Sequence, residues 1–176
     1  MATSAKKVCL VGDFSVGKTS LIRRFVDNQF SDEYLSTVGV KLSRKLVNLS
    51  QTADASPKDV ELLIWDIEGQ TQFKAIAPSY LQGAKGAIIV GDVKRPDTLD
   101  HLEDHIALFL KINPKGKVIV ALNKADLVTP EACEKLVEKY TFNVQQPQVL
   151  ATYATSAKTG KDVNAIFHEL ASAMLQ

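Results

Sequence analysis

The sequence predicts an α/β fold: a six-stranded, mostly parallel sheet with one antiparallel edge strand and about five flanking helices. The first observation is a set of five short apolar runs without polar alternation, typical of strands buried on both faces. The second is that segments with helical spacing of apolar residues separate most of these runs. Such strand–helix alternation favours a parallel sheet with helices on both faces. The third is one pair of strand-like segments with no helical pattern between them.

The elements follow in chain order. The apolar runs, each a predicted strand, are 8–11, 62–65, 87–90, 118–122 and 149–151. Apolar residues recur with helical spacing in 21–26, 99–110 and 163–174. Helix starts are expected at Thr129-Pro130 and at Thr159, which has Asp162 three residues later.

The exception to the alternation lies early in the chain. Segments 38–49 and 60–66 are joined by the polar, turn-rich segment 51–59. We interpret this region as a hairpin with a long loop, which supplies the antiparallel edge strand.

Length and composition fit a single domain covering residues 1–176. The net charge of +1 at pH 7 gives no global basic field, so we expect no nucleic-acid partner. Two cysteines, Cys9 and Cys133, are too few for a disulfide framework or a zinc site, and reduced thiols are typical of the cytoplasm. The sequence has no signal-peptide pattern and no apolar stretch near the roughly 20 residues that span a bilayer.

These features predict a cytoplasmic protein. No cysteine lies near the C-terminus, so we expect no membrane anchor in this chain. The protein would be peripheral to membranes if a lipidated C-terminus were missing from it.

A phosphate-binding loop is predicted at 12–19, where Gly-Asp-Phe-Ser-Val-Gly-Lys-Thr fits G-x-x-x-x-G-K-[ST] between a strand and a helix. The glycines let consecutive N–H groups point at phosphate oxygens, and the helix N-terminus adds its positive end. Lys18 would supply a charge to the outer phosphates and Thr19 a hydroxyl ligand for Mg²⁺. A turn that binds nothing is the alternative, which the strand–helix context makes improbable. The nucleotide-binding residues expected here are Asp13, Phe14, Ser15, Val16, Gly17, Lys18, Thr19 and Ser20.

A base-reading motif is predicted at Asn123-Lys124-Ala125-Asp126, directly after the fourth apolar run. The Asp126 carboxylate can accept two hydrogen bonds from the ring N–H and amino group of guanine, a pair of donors that adenine lacks. Asn123 would tie this segment to the phosphate loop, and the Lys124 stem would cover the base. The four-residue match is weak alone, but it lies at the carboxyl edge of the sheet, where doubly wound folds bind ligands.

Together these motifs resemble the Ras-superfamily small GTPases, most like the Rab branch, over about residues 6–175. The segment 155–158, Thr-Ser-Ala-Lys, resembles the family's T-S-A-K loop. The segment 65–70, Trp-Asp-Ile-Glu-Gly-Gln, resembles W-D-T-A-G-Q of the second switch, and 37–40, Thr-Val-Gly-Val, resembles the Rab-type first switch. The resemblance implies a P-loop GTPase, or G, domain that binds GTP or GDP with Mg²⁺ and hydrolyses GTP slowly.

The resemblance also implies roles for single residues. The Ala157 backbone N–H would meet the guanine carbonyl, and Phe30 would pack on the base. Further nucleotide contacts are expected from Tyr34, Thr37, Gly69, Ser156 and Lys158. The implied metal ligands are Thr19, Thr37 and Asp66, the last through water. The implied catalytic residues are Lys18, Thr37, Gly69 and Gln70, with Gln70 orienting the attacking water.

Three departures from the family pattern stand out. Glu68 replaces a small residue, and a carboxylate near the γ-phosphate would repel it unless the side chain turns to solvent or contacts the metal. We expect this charge to weaken the grip on Mg²⁺-GTP relative to alanine. Phe14 stands where the family carries Gly or Ser and would either obstruct Gln70 or fold outward. The hairpin loop 51–59 is longer than usual.

The predicted function is a guanine-nucleotide switch with effector, exchange-factor and activating proteins as partners. Effectors would contact 34–46 and 70–82. A nucleotide-stabilised binding module without hydrolysis is the alternative that Phe14 and Glu68 favour. A P-loop ATPase or kinase is a further alternative, which the segment 123–126 argues against. His101, His105 and His168 lie in helical patterns and are expected to be ordinary surface or core residues.

Overall fold

The structure, a computed structural model, describes residues 3–33, 35–49, 58–71 and 75–176. Six strands are present in this part of the chain: β1 (Ser4–Gly12), β2 (Val40–Asn48), β3 (Asp59–Ile67), β4 (Gly86–Asp92), β5 (Lys117–Asn123) and β6 (Val149–Ala154). The described helices are α1 (Lys18–Asp27), α2 (Pro96–Asp100), α3 (Leu102–Ile112), α4 (Pro130–Lys139) and α5 (Val163–Ala173). Short 3₁₀ turns occur at Pro78–Tyr80 and Ala125–Leu127.

The strands form one sheet in the order β2-β3-β1-β4-β5-β6. Strands β2 and β3 pair antiparallel at the edge, from Val40 opposite Ile67 to Asn48 opposite Asp59. All other neighbouring strands are parallel. This arrangement confirms the predicted mixed sheet with its hairpin, whose tip (50–57) lies outside the described residues.

Apolar layers cover both faces of the sheet. On one face α1 and α5 meet, and the rings of Phe25 and Phe167 stack with centroids 4.0 Å apart. On the other face, α3 buries Leu102, Ile106 and Phe109 against the central strands. The strands between these layers are buried on both sides, which is why their sequences read as continuous apolar runs.

Two helix predictions need correction. The helical pattern 99–110 is divided at His101 into α2 and α3, and α5 begins at Val163 rather than near Thr159. Asp162 precedes α5 in a left-handed conformation, with φ of 54°. The start of α4 is as predicted: Pro130 occupies the first turn, and the Thr129 hydroxyl accepts from the Ala132 N–H at 3.2 Å.

The parallel topology positions the site. The carboxyl ends of β1, β3, β5 and β6 lie at one edge of the sheet, and the loops that follow them carry the predicted motifs. Among the helices of the described ranges, none combines the length and apolar character needed to cross a bilayer.

Candidate nucleotide-binding site

A cleft of about 380 Å³ opens at this edge of the sheet. Every predicted motif contributes to its walls. The predicted site residues that line it are Phe14, Ser15, Gly17, Lys18, Thr19, Ser20, Phe30, Thr37, Gly69, Asn123, Lys124, Asp126, Ala157 and Lys158. Residues from five separate segments therefore converge on one concave surface, as a nucleotide site requires.

The remaining predicted residues occupy other positions. Asp13, Val16, Asp66, Gln70 and Ser156 do not line the cleft; they stand behind or beside residues that do. Tyr34 lies outside the described residues.

The phosphate loop is curled by left-handed residues. Ser15 has φ of 64° and Gly17 has φ of 98°. A Cβ on Gly17 would lie 2.3 Å from Asn123 Nδ2, so this position requires glycine for its conformation and for its close approach to the base-reading segment. Helix α1 begins immediately afterwards at Lys18, which places its N-terminus against the cleft.

Lys18 is folded back along the loop. Its ammonium donates to the carbonyls of Asp13 at 2.9 Å and Gly12 at 3.3 Å, and the residue is 6% exposed. Burial lowers the pKa of Lys18 to about 8, although the carboxylates of Asp66 and Asp13 oppose this shift. A buried cation at the floor of a phosphate loop favours an anionic ligand.

Three oxygen groups converge beside Lys18. The Thr19 hydroxyl donates to Asp66 Oδ2 at 2.6 Å and lies 2.8 Å from the Thr37 hydroxyl. Burial raises the pKa of Asp66, against the opposing effects of the Thr19 hydrogen bond and the Lys18 charge. Asp66 Oδ1 is buried and has no hydrogen-bond partner among the described residues. Hydroxyl and carboxylate oxygens with an unsatisfied acceptor fit a hard cation such as Mg²⁺.

The base-reading segment is tied to the phosphate loop through side chains. Asn123 Nδ2 donates to the Val16 carbonyl at 3.0 Å, and Lys124 Nζ donates to the Ser15 carbonyl at 3.0 Å. Lys124 also forms an ion pair with the buried Asp92 at 2.9 Å. These contacts agree with the predicted tie from Asn123, and they show a second tie from Lys124 that the sequence did not indicate.

The loop at 155–158 closes the same end of the cleft. Ser156 Oγ donates to Asp126 Oδ1 at 2.7 Å and holds the predicted base-reading carboxylate. Ala157 is 3% exposed, and within the described residues its N–H has no protein acceptor. Such groups are rare in folded proteins, which is consistent with a donor reserved for a ligand. Phe30 lines the cleft and packs on the core beside α1.

The segment after β3, predicted to be the second switch, is hydrogen-bonded to the predicted phosphate loop. The Phe14 N–H donates to the Gln70 carbonyl at 2.9 Å, and the Gln70 N–H donates to the Gly12 carbonyl at 3.1 Å. A Cβ on Gly69 would lie 2.5 Å from Phe14 Cα, so only glycine allows this contact. The Phe14 ring lines the cleft and is 38% exposed.

Glu68 has a position that neither sequence alternative described. The Gly39 N–H donates to Glu68 Oε2 at 3.1 Å, and the Glu68 N–H donates to the Gly39 carbonyl at 2.8 Å. The carboxylate thus joins the second switch to the residues that follow Thr37. It is half-buried at this contact.

His101 and His105 are closer to the site than the sequence suggested. Both rings meet the buried Asp13 carboxylate: His101 Nδ1 lies 2.5 Å from Oδ2, and His105 Nε2 lies 2.8 Å from Oδ1. The hydrogen bond to Asp13, assisted by the charges of Asp13, Asp97 and Asp104, raises the pKa of His101. These two histidine contacts hold the pKa of Asp13 below its ordinary value, although burial acts in the opposite direction. The expectation of ordinary surface or core residues stands for this pair, since His105 is buried and His101 partly exposed, but the sequence did not indicate their shared contact with Asp13.

Comparison with known proteins identifies the family. The sequence profile described as the Ras family matches residues 7–176. The human Ras-related protein Rab-22A is 33% identical over 172 residues, an alignment that covers 97% of this chain and 84% of Rab-22A. The chain belongs to the Ras family.

Other relatives of this Ras-family chain also carry Rab names. The Ras-related protein Rab5A of Oryza sativa subsp. japonica is 36% identical over 171 residues, which cover 97% of this chain and 80% of Rab5A. Human Rab-34 is 36% identical over 168 residues, which cover 94% of this chain but only 62% of Rab-34. The predicted Rab-like resemblance is thus confirmed.

Proposed function

We propose that this Rab-like protein is a guanine-nucleotide-dependent switch that binds GTP or GDP with Mg²⁺ and hydrolyses GTP slowly. The observation that carries this proposal is the contact between the Thr37 and Thr19 hydroxyls at 2.8 Å, beside Asp66. Thr37 belongs to the segment between α1 and β2, whereas Thr19 belongs to the phosphate loop helix. A ligand held by both would order the first segment, and its loss would release it.

The chain's residues divide the work of binding. Lys18 and the N-terminus of α1 would hold the phosphates, and Asp126 with the 156–158 loop would hold the guanine. The oxygens of Thr19, Thr37 and Asp66 would hold Mg²⁺, which neutralises phosphate charge when bound. The Gly69 N–H would bond the γ-phosphate, and Gln70 would orient the attacking water.

The Phe14 ring supports a slow hydrolysis rate. It lines the cleft next to Gly69, where a small residue would leave room for the Gln70 side chain and for an activating arginine. Such an arginine raises turnover by roughly 10³ to 10⁵ in this reaction class. A phenyl group in that space would obstruct both.

The first experiment identifies the ligand and its turnover. The nucleotide that co-purifies with the protein is released and identified, and competition of labelled GDP by GTP and by ATP is measured. Phosphate release is then followed with GTP and Mg²⁺. We expect bound guanine nucleotide, no competition by ATP and slow phosphate release. A purified protein that exchanges adenine and guanine nucleotides equally would contradict the proposal.

A nucleotide-stabilised binding module without hydrolysis is the second candidate, and the position of Phe14 favours it. Single-turnover hydrolysis of the wild type and of Phe14→Gly separates the two. A faster rate in the variant, at unchanged nucleotide affinity, supports a slow GTPase obstructed by the ring. No measurable hydrolysis in either protein supports the binding module. An equal or lower measurable rate in the variant would rule out obstruction by Phe14.

Effector, exchange-factor and activating proteins are the proposed partners, as the family implies. Four large apolar side chains on β2 and the segment before it support an effector surface in the GTP state. They are Leu35, Val38, Leu42 and Leu46, each more than half exposed. Rab-named relatives suggest a role in vesicle trafficking and peripheral association with cytoplasmic membranes, which cell fractionation of the tagged protein would test.

A further inference from the structure

The Arg24 guanidinium on α1 donates hydrogen bonds to the loop 155–158, at the end of the cleft predicted to hold the base. Arg24 Nε donates to the Ala157 carbonyl at 2.7 Å, and Arg24 Nη2 donates to the Lys158 carbonyl at 2.5 Å. Its third nitrogen, Nη1, donates to Asn28 Oδ1 at 3.3 Å, one helical turn further along. All three nitrogens are therefore engaged, which fixes the plane of the group.

These contacts set the orientation of two consecutive peptide groups. In a planar trans peptide the N–H points opposite to the C=O. Because the Ala157 carbonyl points at Arg24 on α1, the Lys158 N–H points away from α1, on the side of the cleft that Ala157 and Lys158 line. Because the Lys158 carbonyl also points at Arg24, the Thr159 N–H points away and donates to Ser156 Oγ at 3.1 Å.

Two backbone N–H groups of this loop have no protein partner among the described residues. Within the described residues, neither the Ala157 N–H nor the Lys158 N–H donates to a protein acceptor. Two adjacent backbone donors beside a buried alanine are complementary to one carbonyl oxygen. On guanine, the exocyclic O6 is that acceptor.

We propose that Arg24 is a positioning residue for base selection: by holding the Ala157 carbonyl, it aims the Lys158 N–H, next to the Ala157 N–H, at the O6 atom of guanine. This inference rests on the proposed guanine-nucleotide function and assigns a determinant of specificity to α1, the helix that also begins at the phosphate loop. Arg24 does not line the cleft and acts only through the loop.

The other half of base recognition is held by a hydrogen bond that Arg24 does not make directly. Asp126, expected to read the ring N–H and the 2-amino group, accepts from Ser156 Oγ at 2.7 Å, a contact that does not include Arg24. Loss of Arg24 should therefore affect recognition of O6 more than recognition of the 2-amino group. This difference separates positioning from a general loss of stability.

The experiment uses three diphosphates. GDP carries all groups, 6-thio-GDP replaces O6 by a poorer acceptor, and IDP lacks only the 2-amino group. Equilibrium affinities are measured for the wild type, Arg24→Gln, Arg24→Lys and the control Arg44→Gln. Arg44 lies on the distant edge strand β2 with a largely exposed side chain, and it gives the same change of charge.

For Arg24→Gln we expect the preference for GDP over 6-thio-GDP to fall roughly tenfold, which is the change in affinity expected when one hydrogen bond to the base is lost. The preference for GDP over IDP should stay within about twofold of the wild type. Arg24→Lys keeps the charge but not the planar fork, so it should remain defective in O6 discrimination. Arg44→Gln should match the wild type.

Two results would overturn the inference. One is an equal loss of affinity for all three nucleotides in Arg24→Gln, which indicates a structural role. The other is full recovery by Arg24→Lys, which indicates that charge alone matters. A wild type that does not prefer GDP over 6-thio-GDP or IDP would instead contradict the proposed function itself.

Discussion

Removing the Glu68 carboxylate should loosen the segment that carries Thr37. In the structure the N–H of Gly39, which lies two residues after Thr37, donates to Glu68 Oε2. From the sequence alone we expected the Glu68 charge to weaken the grip on Mg²⁺-GTP. The contact favours the opposite outcome, because the carboxylate holds the segment after Thr37 against the segment after β3. Glu68→Ala should therefore accelerate GTP dissociation.

The magnitude follows from the type of contact. Hydrogen bonds to charged groups contribute about 1.5–3 kcal/mol. The Glu68 carboxylate is only half-buried, so the lower end, about 1.5 kcal/mol, is appropriate. This value corresponds to roughly a tenfold change in the opening equilibrium of the segment. The backbone hydrogen bond from the Glu68 N–H to the Gly39 carbonyl remains in the variant, so the strand pair itself should persist.

Hydrogen exchange of the Gly39 amide reports whether this contact is formed. In Glu68→Ala its exchange should be roughly tenfold faster, and in Glu68→Gln, which keeps a neutral acceptor, the increase should be smaller. The control is Glu61→Ala on β3, the strand that ends just before Glu68; the Glu61 carboxylate pairs with the exposed Arg44 at 3.8 Å. Unchanged Gly39 exchange, or slower GTP dissociation in Glu68→Ala, would refute the reasoning.

Three further predictions concern other parts of the site. Asp126→Asn should shift preference from GDP toward xanthosine diphosphate, measured by competition; unchanged GDP affinity would remove its base-reading role. Thr19→Asn should weaken GTP binding more than GDP binding, and equal losses by titration would argue against a metal ligand. The raised pKa of His101 means that its contact with Asp13 stabilises the protein fully below about pH 6.5 and is lost as pH rises through that pKa. Urea unfolding should therefore show His101→Gln about 0.5 kcal/mol less stable than the wild type near pH 6, with a smaller difference near pH 8. The control His168→Gln should have the same pH dependence of stability as the wild type. A difference for His101→Gln that does not change with pH would contradict this account.

The fold was largely predictable because burial on both faces leaves continuous apolar runs. The edge hairpin was also predictable, since no helical pattern lies between its strands. The division of one helical pattern at His101 was not. Leu99 lies before the break, Leu102 and Ile106 lie after it, and all three are buried. The spacing of apolar residues is therefore the same whether or not the helix is continuous. Apolar spacing reports which face is buried, not whether the backbone is continuous.

The site was predictable where a local motif carries it. The phosphate loop and the base-reading segment each lie within a few residues, and the structure brings both to one cleft. The contacts of Asp13 with His101 and His105 join residues 88 and 92 positions apart. The contacts of Arg24 with Ala157 and Lys158 span 133 and 134 positions. A single sequence does not indicate such long-range contacts, because they depend on the parallel topology that brings distant loops together.

The departures from the family pattern meet in one part of the structure. Phe14 is joined to Gln70 by a backbone hydrogen bond on the phosphate-loop side, and Glu68 is joined to Gly39 on the β2 side. The start of the second switch is therefore held from both sides, and opening it must break contacts worth about 1 kcal/mol each or more. The groups expected to hold the base and phosphates, such as Asp126 and Lys18, lie outside this pair of contacts. The Phe14 contact is made by the backbone and survives a side-chain substitution, whereas Glu68→Ala removes the Glu68 contact, so Glu68 is the residue whose substitution should make this segment open more readily. Because Thr37 is expected to hold Mg²⁺-GTP, faster opening of its segment and faster GTP dissociation should occur together in Glu68→Ala.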